Sequence, residues 1–180
     1  MYRLLAAALF VACSLPLLAN ASASASVVPV LLQPLSDKET DAVCWTLDLG
    51  TATALAEGYM AGSIDDDGYA QAHSTIRSLA TAAAIWDLQG HSRDALNKDE
   101  LADVKVVDTQ ASLRPADGGA ILTYCQQWAH YLAAKMPPTM SVHDRQRVHK
   151  LASDYVVRIL RKRSANPPST PPSKLRTLHP

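Results

Sequence analysis

The residues of this 180-residue chain whose types could do chemistry are a run of carboxylates, a His-Asp dipeptide and a few scattered histidines and cysteines. Asp65, Asp66 and Asp67 followed by Gly68 offer oxygen ligands ahead of a turn glycine, as a calcium loop does. An EF-hand, however, needs alternating ligands and a glutamate at the twelfth position, and counted from Asp65 that position is Ile76. The run therefore reads as a charged inter-helix turn. His143-Asp144 has the composition of a water-activating pair, but no cysteine adjoins it and no Gly-rich loop precedes it. His143 and His149 fall on different faces of a helix, where a zinc pair needs i, i+4 spacing, and His130 is isolated. No Gly-x-Ser-x-Gly turn, Walker-type loop or dinucleotide-binding glycine pattern occurs. The expectation is a protein that is not an enzyme and carries no metal and no cofactor.

The N-terminal residues set the compartment. Arg3 precedes an almost wholly apolar run from Leu4 to Leu18, and small residues follow from Ala19 to Ala25. This order is that of a secretory signal peptide, with cleavage after Ala21, Ala23 or Ala25. A membrane anchor would need about 20 apolar residues, more than this run supplies; a lipid on Cys13 is the other alternative. Removal of residues 1–25 leaves Cys44 and Cys125, and two thiols in an oxidising compartment suggest one disulfide, against the alternative of two separate buried thiols. Closing that loop of about 80 residues would contribute roughly 4–5 kcal/mol in the chain-entropy model. The expected location is periplasmic or secreted.

Charge is unevenly distributed. Residues 26–157 hold ten Lys and Arg against 17 Asp and Glu, while Arg158, Arg161, Lys162, Arg163, Lys174 and Arg176 follow the last carboxylate, Asp154. The zero net charge is thus an acidic body with a basic tail. An acidic body suits a basic protein partner and disfavours nucleic acid, and the tail suits an anionic lipid surface; a solvated face and a soluble tail are the plainer account.

The elements that would position these residues are helical. Ser36-Asp37-Lys38-Glu39 fits a capping box, and Cys44, Leu47, Thr51, Leu55 and Tyr59 recur on one face of the helix it opens. Gly62 and the acidic run end it. Tyr69, Ala72, Ile76, Leu79, Ala83 and Trp86 mark a second helix that Gly90 stops. Asn97 to Glu100 can cap a third element carrying Leu101, Val104 and Val107, although residues 101–113 also permit a strand. A Pro115–Gly119 turn leads to a helix with Ile121, Cys125, Trp128, Leu132 and Met136 facing inward, broken at Pro137-Pro138. Ser141 caps the last helix, whose apolar face runs from Val148 to Leu160. The expectation is an all-α, single-domain bundle of four or five helices over residues 26–163, with one disulfide and a Pro-rich disordered tail over residues 164–180.

The pattern Gly58-Tyr59-Met60-Ala61-Gly62-Ser63-Ile64-Asp65, followed by Cys125, Tyr131-Leu132, Pro137 and a helix with Ala152, Val156 and Leu160, resembles small exported helical immunity proteins. Those proteins guard the periplasm against peptidoglycan amidases delivered by type VI secretion. The resemblance, over roughly residues 40–160, implies an all-α, disulfide-bonded inhibitor that plugs a hydrolase active site. On this reading the partner is a secreted hydrolase or toxin, and the partner-binding residues are Asp65, Asp66, Asp67 and Tyr69. A small envelope structural or chaperone-like protein, or a secreted enzyme with an unrecognised site, is the alternative.

Overall fold

The computed structural model describes residues 27–64 and 66–164. These form five α-helices and no strand among the described residues: α1 (Asp37–Met60), α2 (Asp66–Leu88), α3 (Lys98–Leu113), α4 (Pro115–Lys135) and α5 (Val142–Ser164). Single 3-10 turns at Val30–Leu32 and Arg93–Ala95 lead into α1 and α3. The all-α bundle expected from the hydrophobic periods is what the chain adopts. The expected leader, and the tail beyond Ser164, lie outside the described residues.

Local chemistry explains where the helices begin and end. Ser36 and Glu39 form a reciprocal capping box, with the Ser36 amide donating to Glu39 Oε2 at 2.7 Å. Asn97 and Glu100 form a second one, which settles residues 101–113 as helix rather than strand. The backbone bond to Asn97 and the Lys38 ammonium hold the Glu100 carboxyl below the usual carboxylate range. That ammonium lies 3.0 Å from Glu100 and ties the start of α1 to the start of α3. Both α1 and α2 end in a Schellman turn, at Gly62 (φ +69°) and Gly90 (φ +72°), where the left-handed backbone returns the amides of Ser63 and His91 to the carbonyls of Gly58 and Trp86. Pro115 does not precede α4 in a turn, as expected, but opens it: proline at the first helical position loses no hydrogen bond, so α4 follows α3 across Arg114 alone.

Helix α2 is the axis of the bundle. From Ala82 to Trp86 every residue is buried, as are Leu79 and Ala80, so neighbours cover the helix nearly all round. Its alanines let α1, α4 and α5 approach closely. This closeness corrects the expected inner face of α1. Leu47, Thr51, Leu55 and Tyr59 are only half-buried, and the innermost line is Cys44, Asp48, Ala52 and Ala56, because small side chains occupy the nearest approach. On α5 the inner residues are Val148, Ala152, Tyr155 and Ile159, with the Tyr155 hydroxyl donating to Asp87 of α2 at 3.3 Å.

Cys44 and Cys125 are joined, with Cα atoms 5.0 Å apart, and both are fully buried. The bond pins α1 to α4, the first long helix to the penultimate one. Replacing both cysteines by alanine is expected to lower stability by about 3–5 kcal/mol, since an open loop of this length restores entropy to the unfolded chain. Equal urea midpoints for the two proteins under oxidising conditions would contradict this.

Asp48 is fully buried one helical turn beyond Cys44, and neither carboxylate oxygen has a hydrogen-bond partner among the described residues. Desolvation pushes its carboxyl from 3.8 up to about 8. The folded protein therefore holds a proton that the unfolded chain gives up, and stability must fall as pH rises between these values, by at most about 1.4 kcal/mol per pH unit. Below about pH 4 and above about pH 8 this contribution is flat. Asp48→Asn is expected to remove the slope and to raise stability most at the alkaline end. Urea denaturation across this range checks it, and parallel pH curves for variant and parent would be the contrary result.

Candidate functional site

The disulfide sets a register from which a site follows. Helices α1 and α4 run antiparallel, so one turn before Cys44 on α1 stands level with one turn after Cys125 on α4. Those positions are Asp41 and Trp128. At this end of the bundle α1 and α5 begin while α2 and α4 finish, and a cleft of about 880 Å³ opens between them. That volume is typical of a small-molecule or peptide site.

Asp41 organises the cleft. Its Oδ2 lies 2.7 Å from His91 Nδ1, and the Trp128 indole N–H also favours its ionised form. Burial nonetheless wins and raises the Asp41 carboxyl above the ordinary value; the nearby charge of Asp37 adds to this. When Asp41 is ionised it can only accept, so Nδ1 of His91 is the donor of this pair. His91 reaches this place because it is the residue immediately after the Gly90 turn, which folds the chain back over the end of α2. Tyr124 faces the same carboxylates: burial first, then the charges of Asp41 and Asp37, push its phenol up.

Farther along α4 the character changes. Trp128 and Tyr131 stack with their planes 7° apart and ring centroids separated by 5.2 Å. Both remain open to solvent, at 36% and 48% exposure. Trp128 was expected on the inner stripe of its helix; it lies instead on the cleft wall, where its polar edge meets the Asp41 carboxylate. The Lys135 ammonium sits 5.3 Å from the centre of the Tyr131 ring. Met136, next in sequence, takes a left-handed φ of 41° before Pro137, so the cleft rim carries local backbone strain.

The residues singled out from the sequence lie elsewhere. Asp65 is outside the described residues; Asp66, Asp67 and Tyr69 fall in the first turn of α2, and their side chains are likewise outside the description. That turn is at the opposite end of α2 from Trp86 and His91, about 30 Å away along the axis. The first turn of α2 and the cleft are therefore two separate places on the bundle. His143 lies 3.8 Å from Asp144 but is exposed at the start of α5, and that carboxylate, held below its usual range chiefly by the Ser141 hydroxyl, serves the helix cap. Among the described residues no group of three His, Cys, Asp or Glu converges as metal ligands, and no helix is long and apolar enough to cross a membrane.

Protein-family models, curated proteins and solved structures give no match to this chain.

Sequence spacing held little trace of the cleft, because Asp41 and His91 are 50 residues apart and meet only through tertiary register. The one local signal was Gly90, whose helix-stopping role fixes the path of His91. Asp41→Ala is expected to release Trp128, giving red-shifted tryptophan emission, stronger acrylamide quenching and a stability loss of about 1–2 kcal/mol. Emission and quenching identical to the parent would show that Asp41 does not hold the indole.

Proposed function

We propose that this chain is an exported protein-binding domain that inhibits a secreted cell-wall hydrolase, with the aromatic cleft as its contact surface. The observation that carries the reading is the stacked Trp128–Tyr131 pair, two large aromatic side chains that the bundle leaves open to solvent beside the cleft. Tryptophan, tyrosine and arginine dominate binding energy at protein interfaces, particularly beside a pocket, and Arg145 completes that set on the same cleft. A buried disulfide suits a protein that works outside the reducing cytosol.

The acidic body, the run Asp65-Asp66-Asp67 included, supplies long-range attraction to a basic enzyme. In this arrangement the carboxylate run steers encounter, while the aromatic pair provides the desolvated contact that sets the lifetime of the complex.

The test is a cell-wall digestion assay with purified peptidoglycan amidases of the type VI-delivered class, titrated with the disulfide-bonded chain. Stoichiometric inhibition of one such enzyme is expected, with Trp128→Ala raising the inhibition constant by about 30-fold or more. Simultaneous replacement of Asp65, Asp66 and Asp67 by alanine is expected to slow association with little change in dissociation. Failure of the chain to inhibit any of these enzymes at tenfold excess would reject the inhibitory role.

A further inference from the structure

The cleft is polarised in a way that its aromatic wall does not require. Asp37 and Asp41 stand on its α1 side, and Lys135 and Arg145 on its α4–α5 side. Asp41 is engaged with His91 and Trp128. Asp37, Lys135 and Arg145 have no partner of opposite charge among the described residues: Lys135 only overlies Tyr131, and Arg145 donates from Nε to the Met140 carbonyl. Opposite charges that share one cleft and yet do not pair are held apart by the helices that carry them.

The separation can be gauged from the helix. Trp128, level with Asp41, and Lys135 are two turns apart on α4, or about 10 Å along its axis. An extended chain advances about 3.3–3.6 Å per residue, so two to four residues bridge that span. Asp37 stands one turn nearer, level with Leu132 and about 5 Å from Lys135 along the axis, so a ligand with its two charges within about 5 Å, such as a free amino acid or a zwitterionic lipid headgroup, reaches Asp37 but falls short of Asp41.

We propose that the cleft binds a short peptide with both ends charged, its ammonium group against Asp37 and Asp41, its carboxylate against Lys135 and Arg145, and its middle across Trp128 and Tyr131. Charge complementarity orients the peptide in one direction only, because reversal would set like charges together at both ends. The stacked rings give apolar area to the intervening residues. The inference shares its cleft with the inhibitory contact proposed above and deepens that reading by naming the chemistry the surface accepts.

The experiment is calorimetric and fluorescence titration of the full, disulfide-bonded chain with the tripeptide Ala-Phe-Ala, with its N-acetylated form and with its C-terminal amide. The free tripeptide is expected to bind with a dissociation constant below about 1 mM, and each cap to weaken it at least about fivefold. In the double variant Lys135→Met, Arg145→Met the amide and the free acid are expected to bind alike, while discrimination against the acetylated form persists. Both residues are exposed, so the variant retains the fold. Binding indifferent to both caps, or none up to about 10 mM peptide, overturns the inference; the contact itself is decided separately, by the effect of Trp128→Ala on inhibition.

Discussion

The covalent bond between Cys44 and Cys125 fixes more than two sulfur atoms. Packing alone leaves two antiparallel helices several registers that differ by a turn. The disulfide removes that freedom. Once it is made, the position of every residue on α4 relative to α1 follows from the helical rise, and Asp41 comes level with Trp128 without any further specification. The cleft is thus a product of register, and the register rests on one bond.

The same bond has a less comfortable neighbour. Four residues after Cys44 the inner line of α1 carries Asp48, and four residues before Cys125 stands the fully buried Ile121. In antiparallel register these positions share a level, so the carboxyl meets an apolar layer where nothing offers it a proton donor. Such a group persists only if it stays protonated or if the surrounding structure has stability to spare. A cross-link closing a long loop provides that surplus, and it lies one helical turn from the unpartnered carboxyl.

Much of the architecture was legible in the residues themselves because it is decided locally. Ser36 with Glu39, Asn97 with Glu100, and the glycines at 62 and 90 mark helix ends through contacts within a few residues, and each marks an end in the structure. The cysteine pairing was legible from the number of cysteines left after the expected leader and from the oxidising location expected for them. What could not be read was the rotation of α1 and the exposure of Trp128. Periodicity identifies the apolar side of a helix; it does not say that an alanine-rich neighbour will favour the narrow strip through Asp48, Ala52 and Ala56 over the leucines beside it. The partnership of Asp41 with His91 was equally beyond it, since it depends on three helices being in place at once.

The methyl-lined stretch Ala82-Ala83-Ala84 at the centre of α2 turns the usual tolerance of a protein interior upside down. A core of leucines can be trimmed and repacked, but alanine has almost nothing to trim, and one added methylene here must push a neighbouring helix outward. Larger side chains are accommodated instead on the flanks of the surrounding helices, where residues such as Leu47 and Leu55 are half-buried. The axis of the bundle is therefore the part of the fold least able to accept a larger side chain.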